Sequence, residues 1–354
     1  MKIVADENIP LIREVLGGMA DINTMPGRSI ERSHLMHADV LLVRSVTKVN
    51  RKLLEGTAVR YVGTATSGTD HICEPDLESL GIRFSAAPGS NARAVVEYVV
   101  AVLAASGRDF ASLQFGVVGC GQVGGRLYRL LKSLGCQVCC YDPFLATNEV
   151  ADLTTLEAVM SSDVVSLHTP LTTDGEFPTL GMIGSEQLAP LPQGALLINA
   201  GRGGVIAEPE LLNFSAGRRD VAIVLDVWEG EPVVDSAISN ACLYLTPHVA
   251  GYSELAKSRG AQMVLESIPG VSIKKIASRA GATKQFYVSS WQEAALSVFD
   301  PVRATEQTRH LIGDRAGFDQ LRKGFGSRLE FSQVSIQGEG EQSSVIRKLG
   351  FATF

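Results

Sequence analysis

The feature that most constrains this fold is a series of short, almost uninterrupted apolar runs separated by stretches of helical periodicity. After Asn91 the runs are FGVVG, QVCCYD, DVVSLHTP, ALLINA, VAIVLDVW and LYLTP. A strand wetted on one face alternates apolar with polar residues. A run that is apolar at nearly every position predicts a strand covered on both faces, the condition of parallel sheets in α/β proteins. The first ninety residues repeat the layout, with KIVA, DVLLVRS, VRYVGTA and IRFSAA as strands and LIREVL as a helical stretch. The pattern predicts two open, doubly wound parallel sheets in tandem. Past about Ser253 the composition shifts toward Gly, Ser, Gln and charge, and the runs WQEAALSVF, LEFSQVSI and VIRKLGF predict a small C-terminal α+β domain.

A chain of 354 residues is long enough for two such cores and an appendage. Its apolar fraction of 45% against 20% charged residues is that of a globular protein. The formal charge of −6 gives no general attraction to nucleic acid or to an anionic membrane, which leaves a small molecule as the expected partner. The most apolar helical stretch, Ala94 to Ala105, is too short for the roughly 20 residues of a membrane span and contains Glu97. The opening MKIVADENIP runs into a strand and has Asp6 and Glu7 where an export signal would need an apolar stretch. With six cysteines and no such signal, a reducing cytoplasm is the expected location.

Within the second series, Gly119-Cys120-Gly121-Gln122-Val123-Gly124 follows a strand and opens the helix QVGGRLYRLLKSLG. The string alone is weak evidence, but between a strand and a helix it has a mechanism. Gly119, Gly121 and Gly124 permit a tight turn, close approach of backbone to a pyrophosphate, and close helix packing, with the diphosphate at the helix N-terminus. Asp142 ends the next strand, eighteen residues beyond Gly124. There a carboxylate can accept from ribose hydroxyls and would repel a 2′-phosphate, which favours NAD over NADP. The plainer reading is that Asp142 begins a turn with Pro143.

Three further residues lie just past strand ends: Arg202 after ALLINAG, Glu231 after VAIVLDVWEG and His248 after LYLTP. Removing a proton from an alcohol while hydride leaves its carbon calls for a base that titrates near neutrality, and histidine suits this. Glu231 would stabilise the imidazolium and fix its tautomer, and Arg202 would hold a substrate carboxylate in its planar fork. Each has a plain alternative: Arg202 a solvated loop residue, Glu231 a turn residue before Pro232, His248 a strand-end histidine bonded to a carbonyl. Their shared position behind a nucleotide-binding pattern favours the catalytic reading.

His168, before Thr169-Pro170, reads as a structural residue on the cofactor side, and His71 as a loop support. His34 and His37, spaced i and i+3 on a predicted surface helix, have no acidic or cysteine partners for a metal. Cys136 and Cys139 form a CxxC spacing, but no second pair completes a ligand set and the segment reads as a strand, so packing is the better reading. No metal is expected. His310 and the Arg347-Lys348 pair read as solvated surface.

The motifs LINAGRGGVI, LDVWEGEP and TPHVAGY, in that order, resemble the D-isomer-specific 2-hydroxyacid dehydrogenase family, whose catalytic Arg, Glu and His fall on Arg202, Glu231 and His248. The resemblance implies a flavodoxin-like substrate domain over 1–90, completed by 253–272, and a Rossmann NAD domain over 91–252. A dimerisation domain over 273–354, hence a homodimer, is implied too, although that tail matches weakly apart from KLGF. Closer similarity in ADENIP, VRSVTKVN, VGTATSGTDH and FSAAPGSNARAVVEYV points to the branch of that family that oxidises 4-phospho-D-erythronate to 3-hydroxy-2-oxo-4-phosphooxybutanoate in vitamin B6 synthesis. By this resemblance Ser45, Thr66 and Tyr252 touch substrate, while Gln122, Val123, Asp142, Thr169, Ala200, Gly201, Arg202, Asp226 and Gly251 line the cofactor. The branch makes sense of Arg44, Ser45 and Lys48 as phosphate donors, a segment that reads otherwise as an ordinary strand exit. Gly201 departs from the family pattern, which often has Cys there, and a backbone contact is the expected role. The remaining alternatives are a 3-phosphoglycerate or glycerate enzyme and an NAD-sensing corepressor.

Overall fold

The computed structural model describes residues 1–273, 284–310, 313–337 and 340–353, with side chains throughout except at 340 and 341. The chain divides into two compact units: Met1–Asn91 with the described part of 254–279, and Ala92–Ser253 with the described part of 280–354.

In the first unit the strands are β1 (Lys2–Asp6), β2 (Asp21–Met25), β3 (Val40–Val43), β4 (Tyr61–Thr64) and β5 (Arg83–Ser85). They form one sheet in the order β2-β1-β3-β4-β5, parallel at every junction. That is the flavodoxin-like order, with its reversal between β1 and β3. The continuous apolar runs have the expected cause: Ile3, Ala5, Val40 and Leu42 belong to one core, and Val4, Leu41 and Val43 to the core on the opposite face. Helix Glu254–Glu266 covers the first of these through Ala261, Val264 and Leu265.

The second unit holds β6 (Gln114–Val118), β7 (Gln137–Tyr141), β8 (Val164–Leu167), β9 (Leu196–Asn199), β10 (Ala222–Leu225) and β11 (Tyr244–Leu245), paired in parallel in the order β11-β10-β9-β8-β6-β7. A single parallel bridge from Cys140 to Leu153 stands where a further strand would flank β7. Counting it, the sheet follows the Rossmann order, with the reversal between β6 and β8. Here too alternate residues feed two cores, Phe115, Val117, Val164, Leu196 and Val224 on one face and Val118, Val165, Leu197, Ile223 and Leu225 on the other. Helix Ala92–Ala105 is buried along almost its whole length in the first of them. Among the described residues no helix is long and apolar enough to cross a membrane.

The C-terminal segment adds β12 (Lys284–Tyr287), β13 (Val334–Gln337) and β14 (Ala352–Thr353), a three-stranded sheet. Both junctions are parallel and helices lie between the strands. The small C-terminal domain is present, a mixed one in which helices alternate with the three strands. Trp291, Phe331 and Ile336 join the same core as helix Ala92–Ala105.

Candidate active site

The glycine turn leaves β6 at the point where the sheet order reverses. Gly119 has φ +82, a left-handed conformation that glycine adopts without a Cβ penalty, and its N–H donates to the Tyr141 carbonyl at 2.8 Å. A Cβ on Gly124 would run into the Gly119 carbonyl oxygen, so helix Gly124–Leu134 can start against the turn only with glycine there. Gly121 differs: a Cβ there would meet nothing within 4 Å among the described residues beyond its chain neighbours. Protein packing does not require that glycine, whereas a ligand lying against the backbone would. Asp142 accepts from the Cys120 N–H at 2.9 Å and the Phe144 N–H at 3.1 Å, so the carboxylate both fixes the turn and begins the next one.

Across the reversal, at the end of β8, Thr169 Oγ1 and His168 Nδ1 are buried without hydrogen-bond partners among the described residues. A Cβ on Gly119 would come within 3.0 Å of Thr169 Cγ2, which fixes how close these two strand ends are. His168 shares a 2.9 Å hydrogen bond between Nε2 and Ser166 Oγ, and burial pushes its pKa down to about 4. It is therefore neutral at physiological pH and too weak a base to be the candidate for taking a substrate proton. Unpartnered buried polar atoms are uncommon, and two beside an open glycine turn fit a polar ligand that would satisfy them. These residues suit a dinucleotide: Gly119 to Gly124 for the diphosphate, Asp142 for a ribose, and Thr169 beside them.

Arg202, Glu231 and His248 follow β9, β10 and β11, three neighbouring strands, so all three occupy the carboxyl edge of one sheet. His248 Nδ1 lies 2.8 Å from Glu231 Oε2, and Glu231 Oε1 accepts from the Trp228 N–H at 2.9 Å. Burial raises the Glu231 carboxyl, but the charge and hydrogen bond of His248, with the charge of Arg322 and the Trp228 N–H, outweigh it and hold the group below the ordinary carboxylate range. A carboxylate facing Nδ1 places the ring proton there and leaves the Nε2 lone pair basic. Arg202 donates from Nη1 to the Gly201 carbonyl at 2.8 Å, and its own carbonyl accepts from Asn199 Nδ2 at 3.0 Å. A Cβ at Gly201 would sit 3.0 Å from the Thr169 carbonyl oxygen, so a larger residue there needs a small backbone adjustment.

His248 has φ +57, a conformation costing a non-glycine residue about 1–3 kcal/mol. Asp226 holds it there. Its carbonyl accepts from the His248 N–H at 2.7 Å, and its carboxylate accepts from Val249 N at 2.7 Å, Ala250 N at 2.9 Å and Thr246 Oγ1 at 2.6 Å. Asp226 therefore shapes the loop that carries the histidine, a task the sequence did not disclose.

A second brace comes from the C-terminal segment. Arg328 is buried and donates to the carbonyls of Ala94 at 2.9 Å and Ala250 at 2.7 Å, and Glu330 Oε1 accepts from Ser253 Oγ at 2.6 Å. Glu97 Oε2 accepts from the Phe331 N–H at 3.1 Å, and Glu97 Oε1 accepts from Arg93 Nε at 2.9 Å. Burial, then the nearby Glu330 charge, pushes Glu97 up to about 7. Apart from Arg93, which lies four positions from Glu97, these partners are 77 to 234 positions apart, so only folding reveals them.

In the first unit Ser45 is exposed in the turn after β3, and Arg44 and Lys48 share that exit. Thr66, just past β4, shares a 2.7 Å hydrogen bond with Thr64 Oγ1 and donates to the Gly68 carbonyl at 2.8 Å. His71 supports that loop through a 2.9 Å contact between Nε2 and Thr64 Oγ1. The helix expected to carry both His34 and His37 ends at Leu35, which leaves His37 beyond it. His34 instead accepts from the Glu31 N–H at 3.1 Å and caps the helix start. Cys136 packs into one core and Cys139 against the core on the other face of β7, so the CxxC pair does not converge. Burial pushes the Cys136 thiol up to about 11, further from reactivity. His310, Arg347 and Lys348 are exposed.

The sheet order, the glycine turn and the strand-end triad together define a nicotinamide-dependent dehydrogenase. Residues 95–250 match the model of the D-isomer specific 2-hydroxyacid dehydrogenase NAD binding domain, and residues 268–350 match a domain of unknown function, DUF3410. The NAD+-bound 3-phosphoglycerate dehydrogenase of Entamoeba histolytica superposes with a TM-score of 0.64 at 25% identity, over 75% of this chain and 92% of that one. The D-lactate dehydrogenase of Aquifex aeolicus shares the fold, with a TM-score of 0.63 at 22% identity over 74% and 92%. Two proteins named erythronate-4-phosphate dehydrogenase match nearly end to end, each at 42% identity: that of Cellvibrio japonicus, with 96% of both chains covered, and that of Stutzerimonas stutzeri, with 99%. The chain belongs to the erythronate-4-phosphate dehydrogenase branch of the D-isomer-specific 2-hydroxyacid dehydrogenase family.

Proposed function

We propose that this protein oxidises 4-phospho-D-erythronate at C2 to 3-hydroxy-2-oxo-4-phosphooxybutanoate, a step toward pyridoxal 5′-phosphate. NAD, when bound, supplies the acceptor for the C2 hydride. His248 Nε2 takes the proton of the C2 hydroxyl, and Glu231, against Nδ1, stabilises the imidazolium that results. Arg202 binds the C1 carboxylate through its fork and polarises the C2 oxygen. Gly119, Gly121, Gln122, Val123 and Gly124 line the diphosphate, and Asp142 meets the adenosine ribose. Thr169, Ala200, Gly201, Arg202, Asp226 and Gly251 complete the cofactor surface, while Ser45, Thr66 and Tyr252 contact substrate. In this reading residues 1–90 with 253–272 form the substrate domain, 91–252 the NAD domain and 273–354 a dimerisation domain. The protein acts as a homodimer in the cytoplasm.

The observation that carries the chemistry is the 2.8 Å contact between His248 and Glu231 at the strand ends beside Arg202. The substrate rests on the relatives' name. Exposed Tyr287 and Val302 in the C-terminal segment suit a subunit contact. One NADH absorbance assay comparing 4-phosphoerythronate, 3-phosphoglycerate and glycerate tests the assignment, with the first expected to have the highest kcat/KM. Equal or better turnover of 3-phosphoglycerate overturns it, as does NAD binding with no NADH from any of the three acids. Light scattering on the full chain tests the dimer, and a monomer at micromolar concentration refutes it.

A further inference from the structure

We propose that Arg322, delivered by the C-terminal segment, belongs to the active site and binds the substrate's phosphate. The proposal rests on the substrate assigned above and adds a residue that the sequence motifs do not contain. Arg322 lies on helix Arg315–Gly324, whose Phe318 is 3% exposed and packs in one core with Trp228, Leu225 and Val234. Trp228 is the residue whose N–H holds Glu231. Residues four apart share a helix face, so the packing of Phe318 turns Arg322 toward the same loops. The contacts bear this out: the guanidinium carbon stands 5.3 Å from the centre of the Tyr252 ring, and the charge of Arg322 acts on Glu231.

Two features point to an anionic ligand beyond these neighbours. Arg322 Nε is buried without a hydrogen-bond partner among the described residues. A guanidinium stays protonated at all physiological pH, so that donor calls for an acceptor, which an anionic oxygen would supply. The second feature is charge balance. Glu231 is ionised at the strand ends, and the proposed substrate brings a carboxylate and a phosphate to the same region. Arg202 answers the carboxylate, and Arg322 answers the phosphate, for which a guanidinium fork is geometrically suited.

The test uses the full-length protein saturated with NAD, as wild type, R322Q and R322K. Binding of 4-phosphoerythronate and of unphosphorylated erythronate is measured by calorimetry, and kcat and KM for both by NADH absorbance. R322Q is expected to weaken binding of the phosphorylated acid and raise its KM by about 30-fold or more, as losing one partner of a desolvated charge pair should. Erythronate binding is expected to change by less than about threefold, with NAD affinity unchanged. R322K should recover part of the loss, because it keeps the charge but not the fork. Equal losses on both acids would mean that Arg322 acts only by stacking on Tyr252 or neutralising Glu231, and would overturn the proposal, as would no loss on either. Should R322Q fail to fold, R322K decides alone through a loss of about five- to tenfold confined to the phosphorylated acid. A wild type that binds 4-phosphoerythronate without oxidising it refutes the proposed reaction while leaving the binding comparison valid. A wild type that binds neither acid overturns both.

Discussion

At the scale of single residues, the proposed reaction separates groups that do chemistry from groups that hold them. His248 contributes a free Nε2 only because Glu231 takes Nδ1, and it stands where it does because Asp226 bonds three successive backbone N–H groups around it. His248→Ala is expected to lower kcat by about 10²–10⁴-fold, the usual worth of a positioned base, with NAD affinity nearly unchanged. Calorimetry beside steady-state kinetics checks it, and turnover near that of the parent would remove His248 from the role. The glycines of the turn separate just as cleanly. Ala at Gly121 meets no atom of the described residues beyond its chain neighbours within 4 Å, so Gly121→Ala should leave thermal stability within about 0.5 kcal/mol. NAD affinity should nevertheless fall by about tenfold or more, since the methyl occupies the diphosphate's line of approach. Unchanged NAD affinity would mean that the diphosphate lies elsewhere.

Among the elements, helix Ala92–Ala105 does more than fill a core. Its Glu97 ties it to Phe331, and its Ala94 carbonyl accepts from Arg328, which also bonds the Ala250 carbonyl in the histidine loop. Glu97 keeps its proton up to about pH 7 in the folded protein but loses it near 4.5 once unfolded. Between those values the folded state binds the extra proton, so this group's contribution to stability declines as pH rises through that window. Gln imitates the protonated form at every pH. Urea unfolding at pH 5 and pH 8 should therefore show a smaller drop in stability for Glu97→Gln than for wild type, and equal drops would refute the buried, proton-holding Glu97. The strands the sequence hid are equally instructive. β2, DINTM, lies at the sheet edge with no fully buried residue, so it lacks the apolar run that marked its neighbours. β12, KQFY, is a short, mostly exposed edge strand for the same reason.

For the whole molecule, two compact units predict that ligand effects stay regional. At about 100 times Kd, NAD should stabilise the unit that binds it by about 2.7 kcal/mol. Hydrogen exchange should show the added protection concentrated in Ala92–Ser253, strongest at the glycine turn and the strand ends beside it, and protection spread evenly over both units would refute that location for the site. The amino-acid sequence by itself determined what depends on neighbours along the chain: the parallel sheets, through runs apolar on both faces; the glycine turn, through glycine spacing; and the candidates Arg202, Glu231 and His248, through their position past strand ends. Tertiary structure alone decided which side chain meets which. It brought Glu231 to Nδ1 of His248, made Asp226 the clasp of the His248 loop, and carried Arg322, Arg328 and Glu330 in from the C-terminal segment. The difference is physical: periodicity and turn chemistry are written locally, whereas a buried ion or an unmet donor acquires its meaning only from atoms that folding brings within about 3 Å of it.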